Sequence, residues 1–165
     1  MSDRFPGQIT IGGDIKRSLV DGLCKAICGE YGSLEWGDAP FEPKDEKELL
    51  EGLEDGYLTL KAEEARYGEF DELECFCNDN GIAYDRHSDG YCEYDPENVY
   101  FRAGMKSPES VMTDHQGNAR VDGGELKRVI QCFETQKWTH EEMVDKLKIL
   151  LPKEEGTLPK LRIVD

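Results

Sequence analysis

Two groups of side chains in this sequence are of types that bind metals. Cys75 and Cys77, with His87 and Cys92 downstream, offer the thiolates and imidazole that zinc prefers. Residues two apart on a helix point to different sides, so Cys75 and Cys77 would need extended backbone to converge. The paired C-x-x-C spacing of recognisable zinc sites is also missing. In the second group, Asp85, His87, Asp89 and Glu93 fall at the first, third, fifth and ninth positions of a calcium-loop pattern, with Gly90 at the sixth. The twelfth position, where a bidentate Glu belongs, is Pro96. A polar turn between strands accounts for the same residues.

His87 and His115 each lie near aspartates (Asp85, Asp89 and Asp114), the composition of a His–Asp base, but no nucleophile accompanies them. Gly12-Gly13 before Lys16 and Arg17 resembles a phosphate cradle in composition, and Asp14 would repel the anion. The P-loop, G-x-S-x-G, H-E-x-x-H and dinucleotide-binding patterns are absent. No catalytic residue, metal or cofactor is therefore assigned, and the chain is not read as an enzyme.

The strongest signal is charge. The 165 residues carry 36 acids and 20 bases, a net of -16. From Glu42 to Glu97 there are 19 acids against five bases, so almost all of the excess lies in the middle third. Such a block repels nucleic acid and anionic lipid, and it attracts basic proteins with a salt-sensitive on-rate. Glu63, Glu64, Glu69, Asp71, Glu72 and Glu74 crowd one strand–turn–helix, and Asp85, Asp89, Glu93, Asp95 and Glu97 follow on neighbouring turns and strands. If a sheet gathers them, their carboxylates can imitate a line of phosphates. These eleven residues are the expected partner-binding site. Tyr67, Phe70, Tyr84, Tyr91, Tyr94, Tyr100 and Phe101 run through the same region, and exposed ones would serve as interface anchors.

The elements that position them read as follows. Gln8 to Ile11 alternates as a strand before Gly12-Gly13. Asp14 is expected to cap a helix reaching Tyr31, with Ile15, Leu19, Leu23, Ile27 and Tyr31 on its buried face. Ser33 to Trp36 reads as a short strand, and Asp45 to Glu54 as a helix with Leu49, Leu50 and Leu53 inward. Tyr57 to Arg66 is a strand, Phe70 to Asn78 a helix ended by Asn80-Gly81. The segments 82–86, 91–94 and 98–102 are strand-prone, and 110–121 reads as a hairpin. Two capping-box patterns, at Asp122 and Thr139, open the last helices. The first of these carries Leu126, Val129, Ile130 and Phe133 at core spacing.

Central strands with helices before and after predict an α+β fold: a mainly antiparallel sheet with helices mostly on one face. Residues 1–152 are expected to form one domain, with 153–165 a linker and edge strand. No apolar run reaches membrane-spanning length, no export signal is read at the N-terminus, and the six cysteines are expected to be reduced in a cytoplasm. The functional expectation is an acidic inhibitor or adaptor that binds the basic surface of a nucleic-acid-handling protein. It would use the logic of anti-defence inhibitors and of immunity proteins against nuclease toxins. The alternatives are a structural subunit of a larger assembly and a divalent-metal-dependent enzyme built on Asp85–Glu97 with His115.

Overall fold

The computed structural model describes residues 3–136, 138–151 and 156–165. Strand β1 (Arg4–Gly12) runs through the middle of a five-stranded antiparallel sheet with β3 (Leu58–Arg66), β4 (Ala83–Ser88), β5 (Glu97–Phe101) and β6 (Glu109–Met112), in the order β3-β1-β4-β5-β6. A separate two-stranded parallel sheet joins β2 (Asp14–Lys16) to β7 (Arg162–Val164). The helices are α1 (Val20–Gly29), α2 (Glu46–Glu51), α3 (Asp71–Asn80), α4 (Gly123–Gln136) and α5 (His140–Leu150). The α+β class is as the sequence predicts.

Period-two alternation sets the sheet's two faces. Ile9 and Ile11 of β1 lie beside Leu60 and Leu58 of β3 and across from Arg86 and Tyr84 of β4. Val99 and Phe101 continue this face on β5. Leu23 and Ile27 of α1 and Leu73 and Cys77 of α3 close the core over it. The opposite face is polar, with Lys61, Gln8, His87 and Asn98 in one cross-strand row and Thr59, Thr10, Asp85 and Tyr100 in the next.

Five expectations need correction. Asp14 does not cap a helix; it begins β2 and accepts hydrogen bonds from Arg162, and a 3-10 turn at Arg17–Leu19 leads into α1 instead. The parallel pairing with β7 takes the backbone groups that a longer helix would have used. Ser33 makes only a single bridge to Lys61. In α2, capped by Asp45, Leu49 is buried but Leu50 is exposed, because six residues bury only one narrow stripe. In α4 only Val129 is buried, while Leu126 and Ile130 face outward. The segment 91–94 is a turn closed by a Tyr91–Tyr94 bridge rather than a strand. The expected helix stop at Pro152 and the start of the linker (153–155) lie outside the described residues.

Candidate functional site: an acidic sheet end

Antiparallel order brings the C-terminal ends of β3, β4 and β6 and the N-terminal ends of β1 and β5 to one edge of the molecule. The chain leaving β3 turns there through Tyr67 and Gly68, both with left-handed backbone (φ 56° and 69°), and enters α3. Gly68 has no room for a side chain, since a Cβ would sit 2.4 Å from that of Ser88. Gly7 is equally constrained, with a Cβ falling 2.5 Å from the Gly68 carbonyl oxygen. This close packing presses the turn onto β1 and sets the acids of β3 beside those of α3.

Ten of the eleven expected acids therefore gather at this end: Glu63 and Glu64 on β3, Glu69, Asp71, Glu72 and Glu74 at the start of α3, and Asp89, Glu93, Asp95 and Glu97 around the β4–β5 turn. Asp85 stands apart, three residues back along β4 on the polar face, where Arg102 pairs with it at 2.6 Å.

The gathered acids differ in what they do. Arg86 is 4% exposed and faces the core. Its Nε lies 2.8 Å from Glu74 Oε1, its Nη2 lies 2.8 Å from Glu97 Oε2, and its Nη1 donates to Ser88 Oγ at 3.2 Å. Burial alone would loosen the Arg86 proton; Glu74 and then Glu97 outweigh that and hold its pKa above the ordinary value. Glu74 also accepts the Phe70 backbone N–H at 3.0 Å and the Tyr84 hydroxyl at 3.4 Å, while Ser110 donates to Glu97. These two carboxylates are structural. Asp95 is paired with Arg120, and Asp89 lies 3.1 Å from His87 Nε2.

Glu69 is half-buried, and burial raises its pKa; Arg86 opposes the shift, and a hydrogen bond with Asp71 adds to it. Glu30, at the end of α1, accepts the Leu73 N–H at 2.9 Å and so caps α3 from a neighbouring helix. Its pKa is also raised, chiefly by burial. Glu63, Glu64, Glu72 and Glu93 carry no ion pair among the described residues and face solvent.

Two concavities meet at Glu69. One, of about 460 Å³, is lined by Arg4, Glu30, Tyr31, Glu63, Glu64, Arg66, Glu69 and Asp71. The other, of about 550 Å³, is lined by Phe5, Tyr67, Glu69, Glu93, Tyr94, Asp95 and Glu97. Tyr31 is 74% exposed at the rim of the first, and it too has a left-handed backbone (φ 55°). At the second, Tyr94 packs against Tyr67 and Phe5 with ring centroids 5.7 and 5.8 Å away, and Tyr91 projects from the same turn. Carboxylates and tyrosines thus line both concavities, which share Glu69.

The metal-ligand types are placed differently. Cys75 and Cys77 both lie on helical backbone in α3, one exposed and one buried, while Cys92 sits in the exposed 91–94 turn. A cleft of about 580 Å³ brings His87 and Asp89 near Asp114 and His115. Asp114 is committed to its own turn, accepting the backbone N–H groups of Gln116 and Asn118 and the Asn118 amide at 2.8–3.0 Å. His87 Nδ1 lies 2.6 Å from Asn98 Oδ1. Among the described residues, no group of three or more His, Cys, Asp or Glu is arranged to hold a metal ion.

Sequence reasoning missed Glu30, Arg86 and Tyr31. Arg86 had a signal, because it shares the period of Tyr84 and Ser88 on an inward-facing strand face. Glu30 had none, and the spacing of four that assigned Tyr31 to the buried face of the first helix misled, because α1 ends at Gly29 and Tyr31 is exposed beyond it.

Fold and site together define an α+β protein with an acid-rich, tyrosine-studded sheet end. No protein-family model, curated protein or solved structure matches the chain. No described helix is long and apolar enough to cross a membrane.

Proposed function

We propose that this protein is an acidic inhibitor or adaptor whose sheet end binds the basic surface of a nucleic-acid-handling protein. The observation that carries the reading is the convergence of Glu63, Glu64 and Asp71 with Tyr31 around one concavity and of Glu93 with Tyr67 and Tyr94 around the adjoining one, with Glu72 exposed beside them at the start of α3. Unpaired carboxylates supply long-range attraction to cations, and tyrosines supply rigid surface on which arginine guanidinium groups stack. Backbone strain at Tyr31 and Tyr67 adds support, because such conformations concentrate where a surface is shaped for a partner. Arg4 and Arg66, opposite each other on β1 and β3, break the acidic line and give it register.

The test is capture from a nuclease-treated bacterial lysate on immobilised wild-type protein and on an E63K/E64K/E72K/E93K variant. The reading predicts a nucleic-acid-handling protein retained by the first and lost from the second. Equal retention on both would reject it. The subunit alternative draws on a different surface, the exposed apolar residues of α4 and α5, and predicts a partner that resists salt.

A further inference from the structure

Of α4 and α5 only Val129 is buried, and neither helix contributes to the main hydrophobic cluster, although the two pack on each other. Leu126 and Ile130, one turn apart on α4, are 38% and 46% exposed; on α5 and just beyond it, Ile149 and Leu151 are 73% and 57% exposed. Leu126 and Ile130, left in water one helical turn apart, form an apolar stripe that a second surface can cover.

Charge indicates what that surface is. Residues 122–151 hold six acids and five bases, so only -1 of the net -16 falls on this segment. Elsewhere, two copies of so acidic a protein repel each other over roughly a Debye length, about 8–10 Å at physiological salt. The hairpin is where two copies can approach. Along α5 the acids Glu141, Glu142 and Asp145 precede the bases Lys146 and Lys148. An antiparallel pair of α5 helices about a two-fold axis sets the acids of one copy against the bases of the other. That is the self-complementarity a symmetric interface requires.

We propose that the α4–α5 face is a self-association surface on which a second copy of this chain packs, with the two α5 helices antiparallel. It is separate from the acidic sheet end, and the two proposals stand or fall independently.

Sedimentation equilibrium of the full chain from about 1 to 100 µM reads the association over a micromolar window. The mass should rise from 18.7 kDa toward twice that value. An L126K/I130K variant should stay at 18.7 kDa with an unchanged circular-dichroism spectrum. Should that variant misfold, surface-charge variants decide: K146E/K148E and E141K/D145K should each be monomeric alone and associate when mixed in equal amounts. The E63K/E64K/E72K/E93K variant should associate as the wild type does. A wild-type mass fixed at 18.7 kDa throughout would overturn the proposal, as would undiminished association of folded L126K/I130K or of either charge variant alone.

Discussion

Arg86 Nε stands 2.8 Å from Glu74 Oε1, joining the core-facing side of β4 to the first turn of α3. Removing one partner of a buried guanidinium keeps the cost of desolvation and loses part of the compensating attraction, about 3–5 kcal/mol in comparable cases. Arg86 retains Glu97 at 2.8 Å, so Glu74→Ala should lower stability by about 2–3 kcal/mol in urea denaturation, whereas single charge reversals at Glu63, Glu64, Glu72 or Glu93 should stay within about 0.5 kcal/mol. This contrast separates the acids that build the sheet end from those free to meet a partner.

Glu30 carries a pH signature. Its carboxyl titrates near 4.5 when unperturbed and higher in the fold, because burial disfavours the charged form. The folded state thus binds this proton more tightly than the unfolded chain. Ionised Glu30 opposes folding above its folded pKa, and that opposition fades as pH falls toward 4.5. Glu30→Gln keeps an oxygen acceptor for the Leu73 N–H and removes the charge. The variant should be more stable than wild type at pH 7, and its advantage should shrink to nothing below pH 4.5 in pH-resolved thermal unfolding.

Gly68→Ala tests the close approach at the β3–α3 turn. The added methyl meets the Ser88 Cβ and the Phe5 ring on a backbone with φ 69°. Overpacking and backbone strain together should cost about 1–3 kcal/mol. Because the same turn sets Tyr67, partner binding should weaken along with stability.

Thr139 accepts the Glu142 N–H and Glu142 accepts the Thr139 N–H, a complete capping box at the start of α5. Thr139→Ala should destabilise α5 by about 1 kcal/mol. The loss should appear as faster amide exchange in 140–150 with little change in the strands, because α5 lies outside the core.

What the sequence disclosed follows from how far each signal reaches. The alternation of Leu58 and Leu60, the capping box at Thr139 and the glycine stop at Gly81 are local, and each places its element correctly. Asp14 misleads because its capping chemistry is overruled by a strand 148 residues away in Arg162. Leu126 and Ile130 mislead because helical spacing shows that a face is apolar without showing what covers it. For the candidate site, clustering in sequence identified the acidic region. Only strand order shows that ten of its eleven residues share one sheet end and that Asp85 does not. The division of labour among them depends on Arg86, whose inward direction follows from its cross-strand partner Ile9.

The central claim is that the sheet end presents carboxylates where a partner expects phosphates. Its most direct measurement is the salt dependence of the captured complex, taken with and without duplex DNA as competitor. The account predicts affinity falling by orders of magnitude between about 50 and 500 mM salt, with DNA displacing the protein at low salt. Affinity indifferent to salt and to DNA would contradict it.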